Sequence, residues 1–253
     1  MKYYFLVTLL PDIQRDDRKI TLGFADLLGE KRFIAPDDWR EVERLLLARD
    51  VLLLEKLLGG KDPDLEPTLH GKEFWQEQIR APREGPEFIQ DFLRRHAGER
   101  SLGPEDVDRL WAGYYDHVVR NTDSPLLRDH FRFERLLRNV LAAVRARRRG
   151  LDPSDHVLGE DEVAERLGRS GAEDFGLGRE YPWVERLTET RDPLELEDAV
   201  EGILWDHLDE RTRRHTFEFE VVLAHLLKLR LLEKRLALSE ERGMEIVSSL
   251  EEV

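Results

Sequence analysis

The side chains best suited to chemistry in this sequence are histidines and carboxylates placed one helical turn apart. His207 with Glu210 and His215 with Glu218 have the spacing that two metal ligands on one helix face require. Each pair stands alone near the end of a predicted helix, whereas a metal site needs several converging ligands. We therefore expect these histidines to be solvated or to cap helices. The chain has no cysteine, which excludes thiolate nucleophiles and zinc sites with sulfur ligands.

A glycine-rich stretch, GRSGAEDFGLG at 168–178, has the composition of a loop that could cradle an anion between backbone N–H groups. Glu173 and Asp174 lie inside this stretch, and their charges would repel a phosphate. The sequence contains neither a Gly-x-Ser-x-Gly nucleophile motif nor a Gly-x-x-x-x-Gly-Lys-Ser/Thr phosphate-binding loop. We expect 168–178 to be a structural loop, and we expect no catalytic residue, metal or cofactor site in this protein.

The strongest charge pattern is the segment FRFERLLRNVLAAVRARRRG, Phe131 to Gly150, with seven arginines and one acid in a chain of net charge −14. Three roles are open: the solvated face of an amphipathic helix, a docking surface for an acidic protein, and a site for an anion or nucleic acid. The overall charge disfavours a general nucleic-acid binder, which should show a basic footprint. The candidate docking residues are Arg132, Arg135, Arg138 and Arg145. Arg147 to Arg149 suit the negative end of a helix dipole.

The elements that position these residues are predicted to be helices. Nearly every long segment repeats its apolar residues at intervals of three and four, and the alternation typical of strands is almost absent. Capping and terminating residues predict the helix ends: Asp37 and Gly59, Pro86, Pro104, Ser124 and Gly150, Asp192, and Ser239 as the cap of a last helix. The predicted fold class is all-α, with several packed helical bundles in one elongated body.

Two linkers rich in glycine and proline, 59–71 and 150–182, interrupt the helices. We expect a single all-helical protein over 1–253, with sub-bundles at 1–58, 72–149 and 183–253. The start, MKYYFLVTLLPDIQ, is a poor signal peptide because Pro11-Asp12 replaces a small-residue cleavage site. It is interpreted as a buried N-terminal segment of a cytoplasmic protein, although the residues at 2–10 favour extended structure.

Four segments resemble a bacterial family of helical proteins encoded among the genes of V-type ATPases. The arginine-rich PLLRDHFRFERLLRNVLAAVRARRRG at 125–150 is similar to the signature helix of that family, which has an aromatic residue where this chain has His130. The other three are YYFLVTLLPDI near the start, DFGLGREYPWVERL in the middle, and ILWDHLDERTRRHTFEFEVVLAHLLKLRLLEKRLALSEERGMEIVSSL at the end. The resemblance covers essentially the whole chain.

The resemblance implies the fold and role of a stand-in for the C subunit of V/A-type ATPases, a non-catalytic helical protein that connects the central shaft to the membrane rotor ring. The expected partners are therefore shaft subunits and the ring, with no nucleic acid. The expected location is the cytoplasmic face of the inner membrane, reached through protein contacts only. The alternative is a free-standing helical binding module whose arginine-rich helix takes an acidic protein, RNA or a phosphate ligand.

Overall fold

The computed structural model describes residues 2–97, 102–159 and 161–251, and over these ranges it confirms the all-helical class. They contain no strand, and none of their helices is long and apolar enough to cross a bilayer. The α-helices are α1 (Tyr4–Leu9), α2 (Phe24–Leu28), α3 (Pro36–Leu58), α4 (Lys72–Arg80), α5 (Glu87–Arg95), α6 (Pro104–Asn121), α7 (Pro125–Arg148), α8 (Glu162–Arg169), α9 (Trp183–Glu189), α10 (Pro193–Thr212) and α11 (Phe219–Glu251). Short 3₁₀ helices occupy Lys31–Phe33 and Pro153–Asp155.

The chain divides into two compact units. Unit 1 consists of Met1–Val42 and Trp205–Val253, and unit 2 consists of Glu43–Leu204. The boundaries between the units fall inside α3 and α10, which are continuous helices. The three sub-bundles that the linkers suggest stay a prediction.

The predicted helix starts at Ser124 and Asp192 follow their capping residues, whereas Asp37 does not cap α3, because that helix already begins at Pro36. The Ser124 hydroxyl accepts a hydrogen bond from the backbone N–H of Leu127 at 3.3 Å, as an N-cap of α7 should. Asp192 accepts from the backbone N–H groups of Leu194 and Glu195 at 2.8 and 3.0 Å, at the start of α10. These caps satisfy donors that the first helical turn cannot pair.

The predicted break before the last helix is wrong. Ser239 caps no separate helix, because α11 runs without interruption from Phe219 to Glu251. Residues 232–239 contain neither proline nor glycine, and serine inside a helix costs only about 0.5 kcal/mol relative to alanine. A capping residue starts a helix only where the preceding residues leave helical geometry.

Unit 2 is centred on a hairpin of α6 and α7, joined by the three residues 122–124. The Phe131 ring lies 5.3 Å from that of Tyr114 and 6.0 Å from that of Tyr115, and all three side chains are fully buried. Such aromatic pairs add to the free energy gained by burial. They fix the two helices against each other.

A buried carboxylate fixes the first predicted linker in unit 2. Asp50 of α3 is completely buried and accepts hydrogen bonds from the backbone N–H groups of Leu69 and His70 at 2.7 and 2.8 Å. It also accepts one from the indole N–H of Trp75 at 2.6 Å. The end of the 59–71 linker and the start of α4 are thereby held against α3.

In unit 1, α1 and α2 pack on α11. The centres of the Tyr3 and Phe219 rings are 5.0 Å apart with the rings tilted by 41°, and Leu6 is buried. The N-terminal segment is helical rather than extended, and it is buried only in part: Tyr3 and Leu6 are buried, whereas Tyr4 and Phe5 are both 54% exposed and Leu9 is 47% exposed. A six-residue helix with apolar residues on several sides can turn only one side to the core.

Candidate functional site: the arginines of helix α7

The apolar face of α7 fixes the direction of its arginines. Leu137, Val140 and Val144 are buried, and the Phe133 ring meets Trp183 edge-on at 5.6 Å. The side chain of Asn139 is also buried, and its amide makes a hydrogen-bond pair with the backbone of residue 158, at 2.7 and 3.1 Å. The helix therefore cannot rotate without losing these contacts.

Arg135 is bound within the chain. Its guanidinium donates to Asp116 of α6 at 2.6 Å and to Asp161 at 3.0 Å, and its side chain is 26% exposed. Asp161 is also the N-cap of α8, since it accepts from the backbone N–H of Ala164. Gly159 passes under the guanidinium with φ +109°, and a Cβ there would collide with it. Arg135 thus joins three segments of unit 2.

Arg138 is held partly by the protein and is partly in solvent. Its guanidinium stands 5.1 Å from the centre of the Trp111 ring and 3.9 Å from the Asp108 carboxylate, and 42% of the side chain is exposed. Exposed pairs at this distance add little stability. Arg138 remains available to an incoming anionic group.

Arg132 and Arg145 are the open cations of the predicted set. Both are exposed, and neither has a hydrogen bond or an ion pair with any residue in the described ranges. Arg145 lies two turns beyond Arg138, or about 10 Å along the same side of the helix. Of the four predicted residues, Arg135 therefore links segments within the protein, whereas Arg132, Arg138 and Arg145 face solvent.

The arginines at the end of α7 serve neighbouring segments rather than only their own helix dipole. Arg147 donates to the carbonyl oxygens of Ala172 at 2.5 Å and Ser170 at 2.7 Å, and its guanidinium lies 3.8 Å from the centre of the Phe175 ring. Arg148 donates to three carbonyl oxygens at the end of α9, those of Leu187, Thr188 and Thr190, at 2.6–3.1 Å. Sequence reasoning missed these contacts, because carbonyl acceptors leave no trace in the residue types.

The glycine-rich stretch at 168–178 contains the last two residues of α8 and the folded loop that follows, in keeping with its predicted structural role. Asp174 accepts hydrogen bonds from the backbone N–H groups of Gly176 and Gly178 at 2.8 and 3.0 Å, and these bonds lower the pKa of its carboxyl. Phe175 is fully buried beneath Arg147 with a φ of 56°. The N–H groups that could have met an anion are thus already bonded to an acid of the loop.

The histidine pairs do not form a metal site. His207 is buried rather than solvated as predicted, and His215 lies 4.0 Å from Glu218 in the loop before α11. Within the described ranges, no three His, Asp or Glu side chains are grouped so that they could hold a metal ion. A cavity of about 10 Å³ in unit 1 is lined by apolar side chains and offers no more room than one water molecule needs.

A buried polar cluster lies beside the arginines in unit 2. The Tyr115 hydroxyl donates to Glu134 at 3.2 Å, and Nε2 of His130 lies 3.5 Å from the same carboxylate. Tyr115 and His130 are each 1% exposed. His130, which replaces an aromatic residue of the resembled signature, stacks edge-on against Phe131 at 5.3 Å. Its ring keeps the aromatic packing and adds a polar contact.

Comparison with known proteins identifies the family of the chain from its sequence. Neither the curated proteins nor the solved structures give a match. One family model, described as a protein of unknown function (DUF2764), matches residues 1–252. That match spans almost the whole chain, and the protein therefore belongs to the DUF2764 family.

Proposed function

We propose that this protein is a non-catalytic component of a bacterial V/A-type ATPase, similar to the C subunit, that couples the central shaft to the membrane rotor ring during ion transport. The proposal rests on the resemblance of four segments to the helical family encoded among V-type ATPase genes. The all-helical architecture of the described residues agrees with it. In this role the protein is peripheral to the cytoplasmic face of the inner membrane and is held there by protein contacts.

The observation that carries the proposal is the set of exposed arginines on α7. Arg138 and Arg145 are exposed on one side of the helix and Arg132 is exposed on another side, in a chain of net charge −14. Cations held on a rigid helix favour docking, because little backbone freedom is lost on binding. Charge pairs across an interface orient the partners and accelerate their encounter more than they add affinity. A rotor coupling needs this kind of contact.

The test is assembly of the tagged chain at its natural level. The wild-type protein should co-purify with central-shaft and ring subunits. The double variant Arg132→Glu/Arg145→Glu should bind them at least about fivefold more weakly, and the loss should shrink between about 50 mM and about 300 mM salt. A matched control is Arg179→Glu/Arg191→Glu, two exposed loop arginines of unit 2 without an ion pair in the described ranges. A wild-type chain that purifies without any protein of the ATPase contradicts the proposal.

The free-standing binding module is the competing function. The same exposed arginines would serve it, but the net charge of −14 disfavours RNA binding overall. Filter binding of a random-sequence RNA separates the two functions. Retention with a steep salt dependence, lost in Arg132→Glu/Arg145→Glu, would favour the binding module.

A further inference from the structure

An acidic side chain of α6 lies beside two exposed arginines of α7. A carboxylate oxygen of Asp108 is 3.9 Å from a guanidinium nitrogen of Arg138, which is too far for a hydrogen bond, and 53% of the Asp108 side chain is exposed. Burial raises the pKa of Asp108 and the charges of Arg138 and Arg145 lower it, whereas Glu55 and His156 have smaller and opposite effects. Both arginines therefore act on this carboxylate. We call Asp108, Arg138 and Arg145 the charged triplet.

The α6–α7 hairpin places Asp108 between the two arginines along the helix axis. The Arg138 guanidinium stands over the Trp111 ring, 5.1 Å from its centre, so these two residues are at about the same level of the antiparallel pair. Asp108 precedes Trp111 by three residues and thus lies about 4.5 Å from that level, on the side of Arg145, which lies about 10.5 Å from it. A partner that contacts both arginines therefore also covers Asp108.

A carboxylate that is covered by a partner needs a positive group to replace its water. Removing a charge from water without such a group is strongly unfavourable. In the proposed docking, Arg138 and Arg145 face acidic groups of the partner, and those groups would repel Asp108 unless a cation lies between them. The favourable partner thus has a lysine or arginine opposite Asp108. RNA, whose charges are all phosphates, has no such group.

The other acids around the charged triplet are engaged within the protein. Glu55 of α3 accepts a hydrogen bond from the indole N–H of Trp111 at 2.9 Å. Glu105, one turn before Asp108 in α6, is 3.5 Å from the Arg109 guanidinium. Trp111 itself is half-buried, and tryptophan and arginine are enriched among the residues that contribute most to protein binding. Asp108 is thus the acid that a partner meets between the two arginines.

We propose that Asp108 determines the specificity of this surface: it receives a lysine or arginine that the partner carries between two carboxylates, and those carboxylates meet Arg138 and Arg145. The inference rests on the proposed function and deepens it by giving the charge pattern of the ATPase segment that docks on α7. Charges of both signs at an interface fix the register of the partners and repel wrong ones. A uniformly acidic segment would be repelled by Asp108.

The experiment titrates the full chain against the ATPase isolated from cells that lack this protein. Asp108→Asn removes the charge at almost unchanged volume and should weaken binding about fivefold, because the partner's cation loses its opposite charge. The matched control is Asp91→Asn, which neutralises a carboxylate of α5 that is 47% exposed and lies 2.9 Å from Arg94. This control should bind as the wild type does. The melting temperature of each variant checks that the fold is retained.

A further variant separates a direct contact from an effect through Arg138. In the Arg138→Gln background Asp108 has no guanidinium to orient at that position. Adding Asp108→Asn to this background should still weaken binding about fivefold, because the contact with the partner's cation is lost there as well. If the additional loss disappears, Asp108 only positions Arg138 and the inference is overturned.

The remaining outcomes distinguish this inference from the proposed function. If the wild type binds the ATPase and Asp108→Asn binds equally well or more tightly, the partner presents only anionic groups here, so the inference is wrong and the proposed function stands. If the wild type binds no protein of the ATPase, the proposed function fails and this inference fails with it. Retention of a random-sequence RNA that Asp108→Asn increases would assign the charged triplet to the binding module and overturn the inference.

Discussion

The two units bury ionisable side chains in opposite ways. In unit 2, Asp50 is completely buried and accepts three hydrogen bonds, two from backbone N–H groups and one from Trp75. In unit 1, His225 of α11 is 7% exposed, and its Nε2 has no hydrogen-bond partner within the described ranges. Burial penalises the charged form of both groups, so that it raises the pKa of Asp50 and lowers that of His225 to about 4.

The difference lies in what surrounds each group. Three donors converge on Asp50 and oppose the effect of burial on its pKa. His225 lies instead near Lys228, whose positive charge lowers the pKa of the histidine further. Lys228 itself donates to Asp209 and stands 4.8 Å from the centre of the Trp205 ring. In unit 2 the buried Asp50 therefore holds neighbouring segments together through hydrogen bonds. In unit 1 the buried Nε2 of His225 has no hydrogen-bond partner in the part of the chain that the structure describes, and the ring stays in its neutral form.

The largest effect is expected for Asp50→Ala. The substitution leaves an indole N–H and two backbone N–H groups buried without their acceptor, and each such group costs about 1–3 kcal/mol. We expect a loss of about 4 kcal/mol in the free energy of unfolding, measured by urea denaturation. Asp50→Asn keeps one acceptor oxygen and should lose less. Equal stability of wild type and Asp50→Ala would remove the contrast between the two units.

Acid should destabilise the protein through His225. Its pKa is about 4 when folded and about 6.5 when unfolded, so the unfolded state binds the proton first as the pH falls. The stabilising contribution is complete above the unfolded pKa and is lost as the pH drops through the interval to the folded pKa. Between about pH 8 and about pH 4 the wild type should lose about 3 kcal/mol more than His225→Leu does. Parallel stability curves for the two proteins would show that the histidine is not the acid-sensitive group.

Substitutions of Arg147, at the end of α7, test whether a cationic side chain can also hold neighbouring segments together. Arg147→Ala removes hydrogen bonds to the carbonyls of Ala172 and Ser170 and the contact with Phe175. We expect a loss of about 2 kcal/mol, seen as a lower melting temperature. Arg147→Lys keeps the charge but not the planar fork, and it should recover only part of that loss. Full recovery would mean that charge alone matters at this position.

The smallest effect on stability is expected for Arg132→Glu/Arg145→Glu. Both side chains are exposed, and changes at such positions usually alter the free energy of unfolding by about 0.5 kcal/mol or less. Thermal unfolding should therefore match that of the wild type, although assembly with the ATPase is expected to weaken. A much lower melting temperature would place these arginines with Arg135 and Arg147 as internal braces.

Local signals predicted the helical elements well. Ser124 and Asp192 cap the helices they were expected to cap, because N-capping depends on residues within one turn. The signal failed at Ser239, where the same residue type lies inside a continuous helix. Propensity gives the possible ends of a helix, whereas the neighbouring residues and the packing decide which of them are used.

The candidate site was predicted only in part, for a physical reason. Their charge and their place among the polar residues of the segment predicted that Arg132 and Arg145 face solvent, and both are exposed. The same pattern cannot tell that Arg135 meets an acid 26 residues away in the chain, since the sequence does not give tertiary distances. The exposed Tyr4 and Phe5 were missed for the opposite reason: apolar composition implies burial unless the rest of the core is known.

Unit 1 is built from two segments that are far apart in the sequence, and this has a consequence for synthesis on the ribosome. Unit 2 is one uninterrupted stretch, so all of its residues can leave the exit tunnel while the last part of the chain is still being translated. Unit 1 contains both Met1–Val42 and Trp205–Val253, so its early residues cannot pack until the later segment has been synthesised. During that interval Leu6 and Phe24, which are buried in the finished protein, have no core to enter. A nascent chain stopped before residue 205 should therefore bind ribosome-associated chaperones through its first segment.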